Sequence, residues 1–249
     1  MGKFADFRKH LKRTLPEPII KIIRLGWDPF YKLYFIISEL FNSKLCTKMF
    51  VGWKRADWIY NISFDYVRHS SLELVSREIY ENNIAGSVAE LGVFRGDFAK
   101  YINRSFPDRK LYLFDTFEGF SAADIATEEK AGLHVPDYDN LTYTSVKLVL
   151  EKMKYKENCI VKKGYFPETA QGIDDKFAFV NIDVDLSEPI YNGLCFFYHR
   201  LEKGGYIFVH DYNEKICTGA KAGIKKFSME HGIPYFPLSD RSGSVVIMK

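Results

Sequence analysis

The chain has 249 residues, of which 47% are hydrophobic and 27% are charged, so it can bury one sizeable core and disorder is excluded. Its net charge of only +3 argues against a dedicated nucleic-acid-binding protein. The cysteines are widely spaced and form no CxxC pair, which argues against a zinc site or a disulfide framework and predicts free thiols in the cytoplasm: Cys46, Cys159, Cys195 and Cys217.

Residues 1–80 are predicted to form a helical N-terminal extension, because their apolar residues recur at helical spacing between proline breaks. Residues 1–50 hold ten Lys or Arg and four Asp or Glu, a net charge of +6 that leaves −3 for the rest of the chain. Two interpretations of residues 1–40 stay open. Basic residues among aromatic ones suit peripheral contact with the inner face of a membrane, and the same segment suits packing or assembly into a homo-oligomer.

Residues 81–249 are predicted to form one α/β domain, because short β-rich runs alternate there with helical patterns. This alternation predicts a Rossmann-like, doubly wound, mostly parallel sheet with an antiparallel C-terminal hairpin. The predicted strands are 87–93, 110–117, 159–164, 177–185, 205–212, 235–238 and 244–248, and the predicted helices are 97–105, 141–154, 188–201 and 218–231. Ligands of such sheets bind beyond the carboxyl ends of the strands.

The first strand ends in a glycine-containing turn, E-x-G-x-x-x-G, formed by Glu90, Gly92 and Gly96. The glycines permit a tight turn and close approach of the backbone to a ligand at a helix N-terminus. The pattern is one glycine short of the dinucleotide fingerprint, and Glu90 suits a sulfonium-bearing ligand better than a pyrophosphate. Asp115, at the end of the second strand, is expected to accept hydrogen bonds from ribose hydroxyls. Together they predict an adenosine-containing ligand.

Several segments resemble the macrocin O-methyltransferase (TylF-type) family: AELGVFRGDFAKYI, LYLFDTFEGF, GYFPET, FVNIDVDLSEPIYNGLCFFYHRLEKGGYIFVHDYN and GAKAGIKKF. The similarity runs from about Lys48 to the C-terminus, and DTFEGF and IDVDL-x-EP are its most specific motifs. The resemblance implies a class I methyltransferase fold and S-adenosylmethionine as the cofactor. Its members methylate sugar hydroxyls on glycosylated natural products and related saccharides.

The resemblance also implies where the cofactor lies. Its methionine part is expected at the glycine turn, its ribose at the end of the second strand and its adenine after the third. The expected contacts are Glu90, Gly92, Val93, Arg95, Gly96, Asp115, Thr116, Gly164, Tyr165, Phe166 and Asp183. Family members also close over the cofactor with residues before the first strand, and the matching residues are 50–55 and Tyr60.

Acidic residues follow the fourth and fifth strands, where an acceptor would meet the cofactor. Asp183 and Asp185 have i,i+2 spacing, which on an extended chain points both carboxylates the same way. Asp183, His210 and Asp211 can supply three ligands to a divalent cation, magnesium or manganese. In the family the positions of Asp183 and Asp211 are metal ligands, and the position of Asp185 is proposed as the general base.

His210 departs from the family, which usually has an aspartate at this position. Three interpretations stay open: His210 is a metal ligand, it is itself the catalytic base, or the dependence on metal is weakened. The connection over residues 118–140 is expected to lie over the acceptor, with His134, Asp137, Tyr138 and Asp139 as candidate contacts.

The function that the sequence supports is therefore methylation of a sugar hydroxyl with the help of a divalent metal. An amine, a phosphoramidate or a carboxylate acceptor is an alternative, and so is a catalytically idle cofactor-binding module. The retained Asp183, Asp185 and Asp211 argue against the idle module, because a costly acidic cluster has no purpose there. A nicotinamide dehydrogenase is excluded by the missing glycine fingerprint.

Overall fold

The computed structural model describes residues 65–135, 141–216 and 218–249. The chain divides after Tyr66, and Val67–Lys249 form one compact unit. In chain order the elements are α1 (Tyr66–Glu81), β1 (Ser87–Leu91), α2 (Ala99–Ser105), β2 (Leu111–Asp115), α3 (Ala122–Lys130), α4 (Val146–Lys152), β3 (Cys159–Lys163), β4 (Phe177–Ile182), α5 (Ser187–Arg200), β5 (Leu201–Val209), α6 (Thr218–His231), β6 (Phe236–Pro237) and β7 (Val245–Met248).

The strands form one sheet in the order β3-β2-β1-β4-β5-β7-β6. The pairs from β3 to β5 are all parallel, whereas β7 runs antiparallel to both β5 and β6. The strand order reverses between β1 and β4, so the carboxyl ends of these two strands flank the crevice where such sheets bind ligands. The predicted doubly wound sheet with a C-terminal antiparallel hairpin is confirmed.

Apolar side chains cover both faces of the sheet, as a central parallel strand requires. All residues of β1 and β4 are buried, and β4 contributes to two hydrophobic clusters, with Phe177, Val180 and Ile182 in one and Ala178 and Phe179 in the other. Leu194 and Phe197 of α5 and Ile224 of α6 complete one cluster. Leu72 of α1 and Ile102 of α2 belong to the other. Each such side chain stabilises the fold by about 1.5–3 kcal/mol.

Several boundaries differ from the prediction. The fourth strand ends at Ile182, short of the predicted residue 185, and the fifth begins at Leu201 rather than 205. The predicted helix over 141–154 is confined to Val146–Lys152, because Ser145 caps its first turn by accepting from the Leu148 N–H at 3.2 Å. The connection over 118–140 contains the helix α3, which the sequence prediction missed.

All of α1 except its last residue falls in the segment 1–80, which is predicted as an N-terminal extension, yet its buried Leu72 and Ile79 pack in the same cluster as sheet residues. The other predictions for residues 1–64, including membrane contact, oligomerisation and closure over the cofactor by residues 50–55 and Tyr60, lie outside the described residues. Asp137, Tyr138 and Asp139 also lie outside them. None of the helices in the described ranges has the length and apolarity needed to cross a bilayer.

Candidate active site

The carboxyl ends of the parallel strands are joined to one another by backbone hydrogen bonds that continue past the strands themselves. The Gly92 N–H donates to the Phe114 carbonyl at 2.9 Å, and the Asp183 N–H donates to the Leu91 carbonyl at 2.8 Å. The His210 N–H likewise donates to a carbonyl at the end of β4, that of Ile182, at 2.9 Å. The candidate cofactor residues and the candidate acidic residues therefore sit on one hydrogen-bonded edge.

Gly92 is the tightest point of this edge. Its φ is +87°, a conformation that side chains rarely adopt, and a Cβ atom there would lie 2.0 Å from the Asp183 carbonyl oxygen. No other residue type fits. The glycine turn after β1 is thus packed directly against the backbone of the first aspartate after β4.

Asp115 holds two turns together. Its Oδ2 accepts from the Phe94 N–H at 2.7 Å and its Oδ1 accepts from the Phe117 N–H at 2.6 Å. Thr116 stabilises the turn after β2 by donating its hydroxyl to the Gly119 carbonyl at 2.8 Å. Since a carboxylate oxygen has two lone pairs, Asp115 keeps acceptor capacity for a ligand hydroxyl while it fixes these backbones.

Glu90 is a deeply buried acid whose carboxyl group is only partly hydrogen-bonded. Its side chain is 1% exposed, and its Oε1 accepts from the Asn181 amide at 2.9 Å. Its Oε2 is buried without a hydrogen-bond partner. Burial raises the pKa of Glu90 well above its ordinary value, although the nearby Arg68 charge opposes this. A buried, unpartnered acceptor beside a glycine turn is a fit for a cationic group of a ligand.

Arg68 of α1 completes the network and was not anticipated from the sequence. Its guanidinium donates to the Asn181 side-chain oxygen at 3.2 Å and to Asp183 Oδ2 at 2.8 Å, and it lies 4.0 Å from the centre of the Phe98 ring. Through Asn181 it connects Glu90 on the glycine-turn side to Asp183 on the acidic side. No local pattern marks Arg68, because its partners lie more than 100 residues away.

Asp183, His210 and Asp211 come together as the sequence predicted. The His210 Nδ1 lies 3.2 Å from Asp183 Oδ1 and 3.0 Å from Asp211 Oδ1. Burial and the Arg68 charge lower the pKa of His210, but the two carboxylates outweigh both and raise it to about 10. Burial opposes ionisation of Asp183, but His210 and Arg68 prevail and hold the pKa of Asp183 below its ordinary range. The two carboxylates are thus balanced by two cationic side chains.

The same three residues lie close enough together to bind one cation. One potential ligand atom of each lies within 4.8 Å of the others, and carboxylate oxygens with an imidazole nitrogen suit magnesium, or manganese more readily. A carboxylate oxygen of Asp240, in the β6–β7 turn, also lies within 4.8 Å of a His210 ring nitrogen, and Asp240 was not singled out from the sequence.

Asp185 does not belong to the group formed by Asp183, His210 and Asp211. Because β4 ends at Ile182, the alternation of an extended strand, from which we argued, does not set the direction of its side chain. Asp185 instead has a φ of +61°, a left-handed conformation that is costly for a residue with a Cβ. It stands between the end of β4 and the first residue of α5, where the chain turns sharply.

The residues predicted to contact adenine have mixed surroundings. Gly164 has a φ of +132°, and its N–H donates to the Asp115 carbonyl at 3.0 Å. Tyr165 is exposed and donates its hydroxyl to Asp124 Oδ1 at 2.6 Å. Phe166 is buried against the rings of Phe114 and Phe197, which gives it a packing role in the core.

The remaining predicted contacts after β1 also differ in exposure. Val93 is 4% exposed and packs in the hydrophobic core, and its carbonyl accepts from the Gly96 N–H at 2.8 Å. Arg95 is exposed at the surface of the turn.

Comparison with known proteins gives this geometry a context. The sequence model of the macrocin-O-methyltransferase (TylF) family matches residues 64–242. A relative in Streptomyces olivaceus, 8-demethyl-8-(2,3-dimethoxy-alpha-L-rhamnosyl)-tetracenomycin-C 4'-O-methyltransferase, is 23% identical over 195 residues, which are 73% of this chain and 72% of that protein.

A second relative, demethyldecarbamoylnovobiocin O-methyltransferase of Streptomyces niveus, is 24% identical over 173 residues, 63% of each chain. The chain thus spans slightly less than two thirds of that enzyme. Among solved structures, the O-methyltransferase NovP superposes with a TM-score of 0.59 at 20% identity, covering 73% of this chain and 79% of that one. At this identity the likeness bears on the fold, and the fold is that of class I methyltransferases.

Proposed function

The chain belongs to the macrocin-O-methyltransferase (TylF) family, and from that premise we propose that it transfers a methyl group from S-adenosylmethionine to a sugar hydroxyl of a saccharide or a glycoside. The acceptor class is supported by the relatives: one is named as a 4'-O-methyltransferase of a rhamnosyl-bearing tetracenomycin and the other as an O-methyltransferase of demethyldecarbamoylnovobiocin. The observation that carries the proposal is the single hydrogen-bonded edge that joins Gly92 to Asp183.

The cofactor side fits S-adenosylmethionine in its chemistry. The buried, unpartnered Oε2 of Glu90 suits the ammonium of the methionine part, whose positive charge would favour the ionised form of this carboxyl. Asp115 retains acceptor capacity for the ribose. When bound, the cofactor supplies a methyl group on a positively charged sulfur, ready for in-line displacement. Gly92 lets the backbone of this turn lie against that of Asp183, because a Cβ atom there would be 2.0 Å from the Asp183 carbonyl oxygen.

The acceptor side must make a hydroxyl oxygen more nucleophilic. Asp183, His210 and Asp211 would hold a divalent cation, which lowers the pKa of a hydroxyl that it coordinates. Arg68 keeps Asp183 ionised and therefore available as a ligand. Asp185 remains the candidate for the carboxylate that receives the hydroxyl proton.

The contacts of His210 bear on its three interpretations. A pKa raised to about 10 leaves the imidazole protonated at neutral pH, so it is a poor base until that proton leaves. As a metal ligand, His210 must give up the proton that it shares with Asp183 and Asp211. As a protonated side chain, it would instead serve as a fixed counter-ion. We favour the ligand, and the counter-ion corresponds to a weakened dependence on metal.

The proposal is tested by incubating the purified protein with radiolabelled S-adenosylmethionine and a panel of acceptors. Methyl α-L-rhamnopyranoside, rhamnose-terminated oligosaccharides and aminosugars with protected hydroxyls separate oxygen from nitrogen acceptors. We expect label in the hydroxyl acceptors, located by NMR spectroscopy of the product. Transfer to the amine alone would overturn the proposal.

Treatment with EDTA, followed by restoration with Mg²⁺ or Mn²⁺, tests the metal separately. We expect activity to fall with EDTA and to return with either ion, with Mn²⁺ the more effective because an imidazole is among the ligands. Full activity in EDTA would remove the metal from the proposal and favour His210 as a counter-ion. It would leave the methyl transfer itself standing.

A further inference from the structure

The helix that follows the acidic turn, α5, begins without a cap of its own. The residue before its first turn is Leu186, which has no side-chain acceptor and is 1% exposed. The first N–H groups of a helix have no partner inside the helix, and here water cannot reach the buried end freely. Leu186 therefore supplies no side-chain acceptor to the first N–H groups of α5, and a residue from another element does so.

Glu128 of α3 supplies that acceptor. Its Oε1 accepts from the Ser187 N–H at 2.7 Å and also from the Ser187 hydroxyl. The Glu128 side chain is 1% exposed, and its negative charge lies at the positive end of the α5 dipole. A buried carboxylate is costly unless it is bonded in this way, so Glu128 and the N-terminus of α5 are held to each other.

The other oxygen of Glu128 closes the space around the turn. Oε2 is buried without a hydrogen-bond partner and lies where a Cβ atom of Gly219 would be only 2.3 Å away. That same Cβ would approach the Asp185 carbonyl oxygen and the Ser187 nitrogen, each at 2.9 Å. Glu128, the start of α6 and the backbone of the acidic turn therefore meet at one closely packed point.

The strained backbone conformation of Asp185 lies beside this closely packed point. Its left-handed φ of +61° lies two residues before Ser187, and such a conformation persists only where the surroundings fix it. The chain is anchored on the other side by the Asp183 N–H, which donates to the Leu91 carbonyl. Glu128 anchors the second side at Ser187. The Leu186 N–H donates to the Val184 carbonyl at 2.6 Å and closes the turn across Asp185, and this turn is held between a bond to the sheet and a bond to α3.

The opposite end of the same helical face is attached independently. Asp124, one turn before Glu128, accepts from the Tyr165 hydroxyl at 2.6 Å and from the Ser121 hydroxyl at 2.8 Å. Loss of the Glu128 carboxylate therefore leaves α3 attached through Asp124. The effect of a substitution at Glu128 falls on the turn that carries Asp185.

We propose that Glu128 is a positioning residue for methyl transfer, which acts by holding Asp185 in the conformation that a general base requires. The inference rests on the proposed function, because it takes Asp185 as the residue that receives the hydroxyl proton. Glu128 touches neither cofactor nor acceptor in this role. Glu128 acts on the conformation of Asp185 through its hydrogen bond to Ser187. Glu128 and Ser187 are far apart in the sequence, so no local pattern indicates this contact.

The test compares Glu128→Ala, Glu128→Gln and the control Glu129→Ala, which removes an exposed carboxylate from the same helix. In Glu128→Ala we expect kcat to fall on the order of 100-fold, as for a misplaced catalytic group, with the Kd for S-adenosylmethionine unchanged by calorimetry. Glu128→Gln keeps a carbonyl oxygen for the Ser187 N–H and should restore most of the rate. The control should match the wild type.

A crystal structure of Glu128→Ala supplies a readout that needs no acceptor. We expect Asp185 to leave the left-handed region. A retained positive φ with an unchanged kcat would overturn the inference, and so would equal losses of kcat, cofactor affinity and melting temperature without rescue by Glu128→Gln. If the wild type transfers no methyl group to any acceptor, the proposed function fails, whereas the conformation of Asp185 still reports whether Glu128 positions it.

Discussion

The two edges of the parallel sheet carry buried or part-buried acids in opposite conditions. At the carboxyl edge, Glu90 has an unpartnered oxygen, and burial raises its pKa well above the ordinary value. At the amino edge, Asp175 accepts from the Ser87 hydroxyl, the Tyr112 hydroxyl and the Lys110 ammonium. The Ser87 hydrogen bond leads these contacts in lowering the pKa of Asp175. The carboxyl edge thus holds an acid with an oxygen that lacks a hydrogen-bond donor, whereas the acid at the amino edge accepts from three donors.

Backbone conformation divides the edges in the same way. Among the described residues, four of the five non-glycine residues with positive φ follow strands at the carboxyl edge: Phe94, Phe117, Asp185 and Asp211, the fifth being Asn83. Such conformations cost roughly 1–2 kcal/mol each. The carboxyl edge of the sheet therefore carries destabilising features, a strained backbone and a buried oxygen without a partner, for which a bound ligand can compensate. The amino edge carries a stabilising set of hydrogen bonds.

The largest effect is expected from Asp183→Asn, a substitution just after the carboxyl end of β4, and it falls on the rate of methyl transfer. Removal of this charge takes away the partner of Arg68 and His210 and a proposed metal ligand, so we expect kcat/KM to fall by at least about 100-fold. The matched control is Asp174→Asn, an exposed residue before the amino end of the same strand. Equal rates for the two variants in the radiolabel assay would contradict the assignment of the acidic cluster.

Gly92→Ala should destabilise the fold by about 2–5 kcal/mol, because its Cβ meets the Asp183 carbonyl oxygen at 2.0 Å in addition to the cost of the positive φ. Gly172→Ala is the control for φ alone, since Gly172 has a φ of +75° and nothing within 4 Å of the added atom. We expect about 1–2 kcal/mol there. Urea unfolding measures both, and a similar loss in the two variants would mean that the glycine turn is not under steric constraint.

Glu90→Gln should make the free energy of unfolding less sensitive to a rise in pH above 4.5, the ordinary pKa of Glu90. A carboxyl with a raised pKa contributes stability that is fully present below its ordinary pKa of 4.5 and is lost as pH rises through the raised value. Between those limits the wild type should lose at most about 1.4 kcal/mol per pH unit relative to Glu90→Gln. Unfolding free energies measured across this range test the sign, and parallel curves would show that Glu90 is not held in its neutral form.

The smallest expected effect comes from Asp175→Asn, which should cost about 1 kcal/mol of stability at neutral pH and leave methyl transfer unchanged. The sign is opposite to that for Glu90. A lowered pKa contributes stability that is present above the ordinary value of 3.8 and is lost as pH falls through the lowered value. The difference between wild type and variant should therefore vanish in acid, and a difference that grows in acid would contradict the comparison.

Much of the fold was predictable because its signals are local. The helix predicted over 218–231 is found as Thr218–His231, and the helix predicted over 188–201 is found as Ser187–Arg200. The helix α3 was missed although it has a local signal. Ser121 accepts from the Asp124 N–H at 3.0 Å, so S-x-x-D starts this helix in the manner of a capping box, but the segment was interpreted as a connection.

The candidate site was predictable only where residues end a strand. Asp183, His210 and Asp211 follow neighbouring strands, and adjacency of the strands brought them together. Arg68, Asp240 and Glu128 reach the site or its supports from elements far away in sequence, and tertiary packing alone decides such contacts. The missing partner of Glu90 was equally invisible, since a sequence does not state how deeply a strand end is buried.

The reach of Arg68 from α1 into the acidic cluster limits how related enzymes of this family can be recombined. A chimera joined after Glu81 would keep the whole sheet but replace the guanidinium that balances Asp183 and touches Asn181. A chimera joined before Asp65 would retain it. Exchange of N-terminal segments between relatives is thus compatible with an intact charge balance only when the crossover precedes the first helix of the catalytic unit.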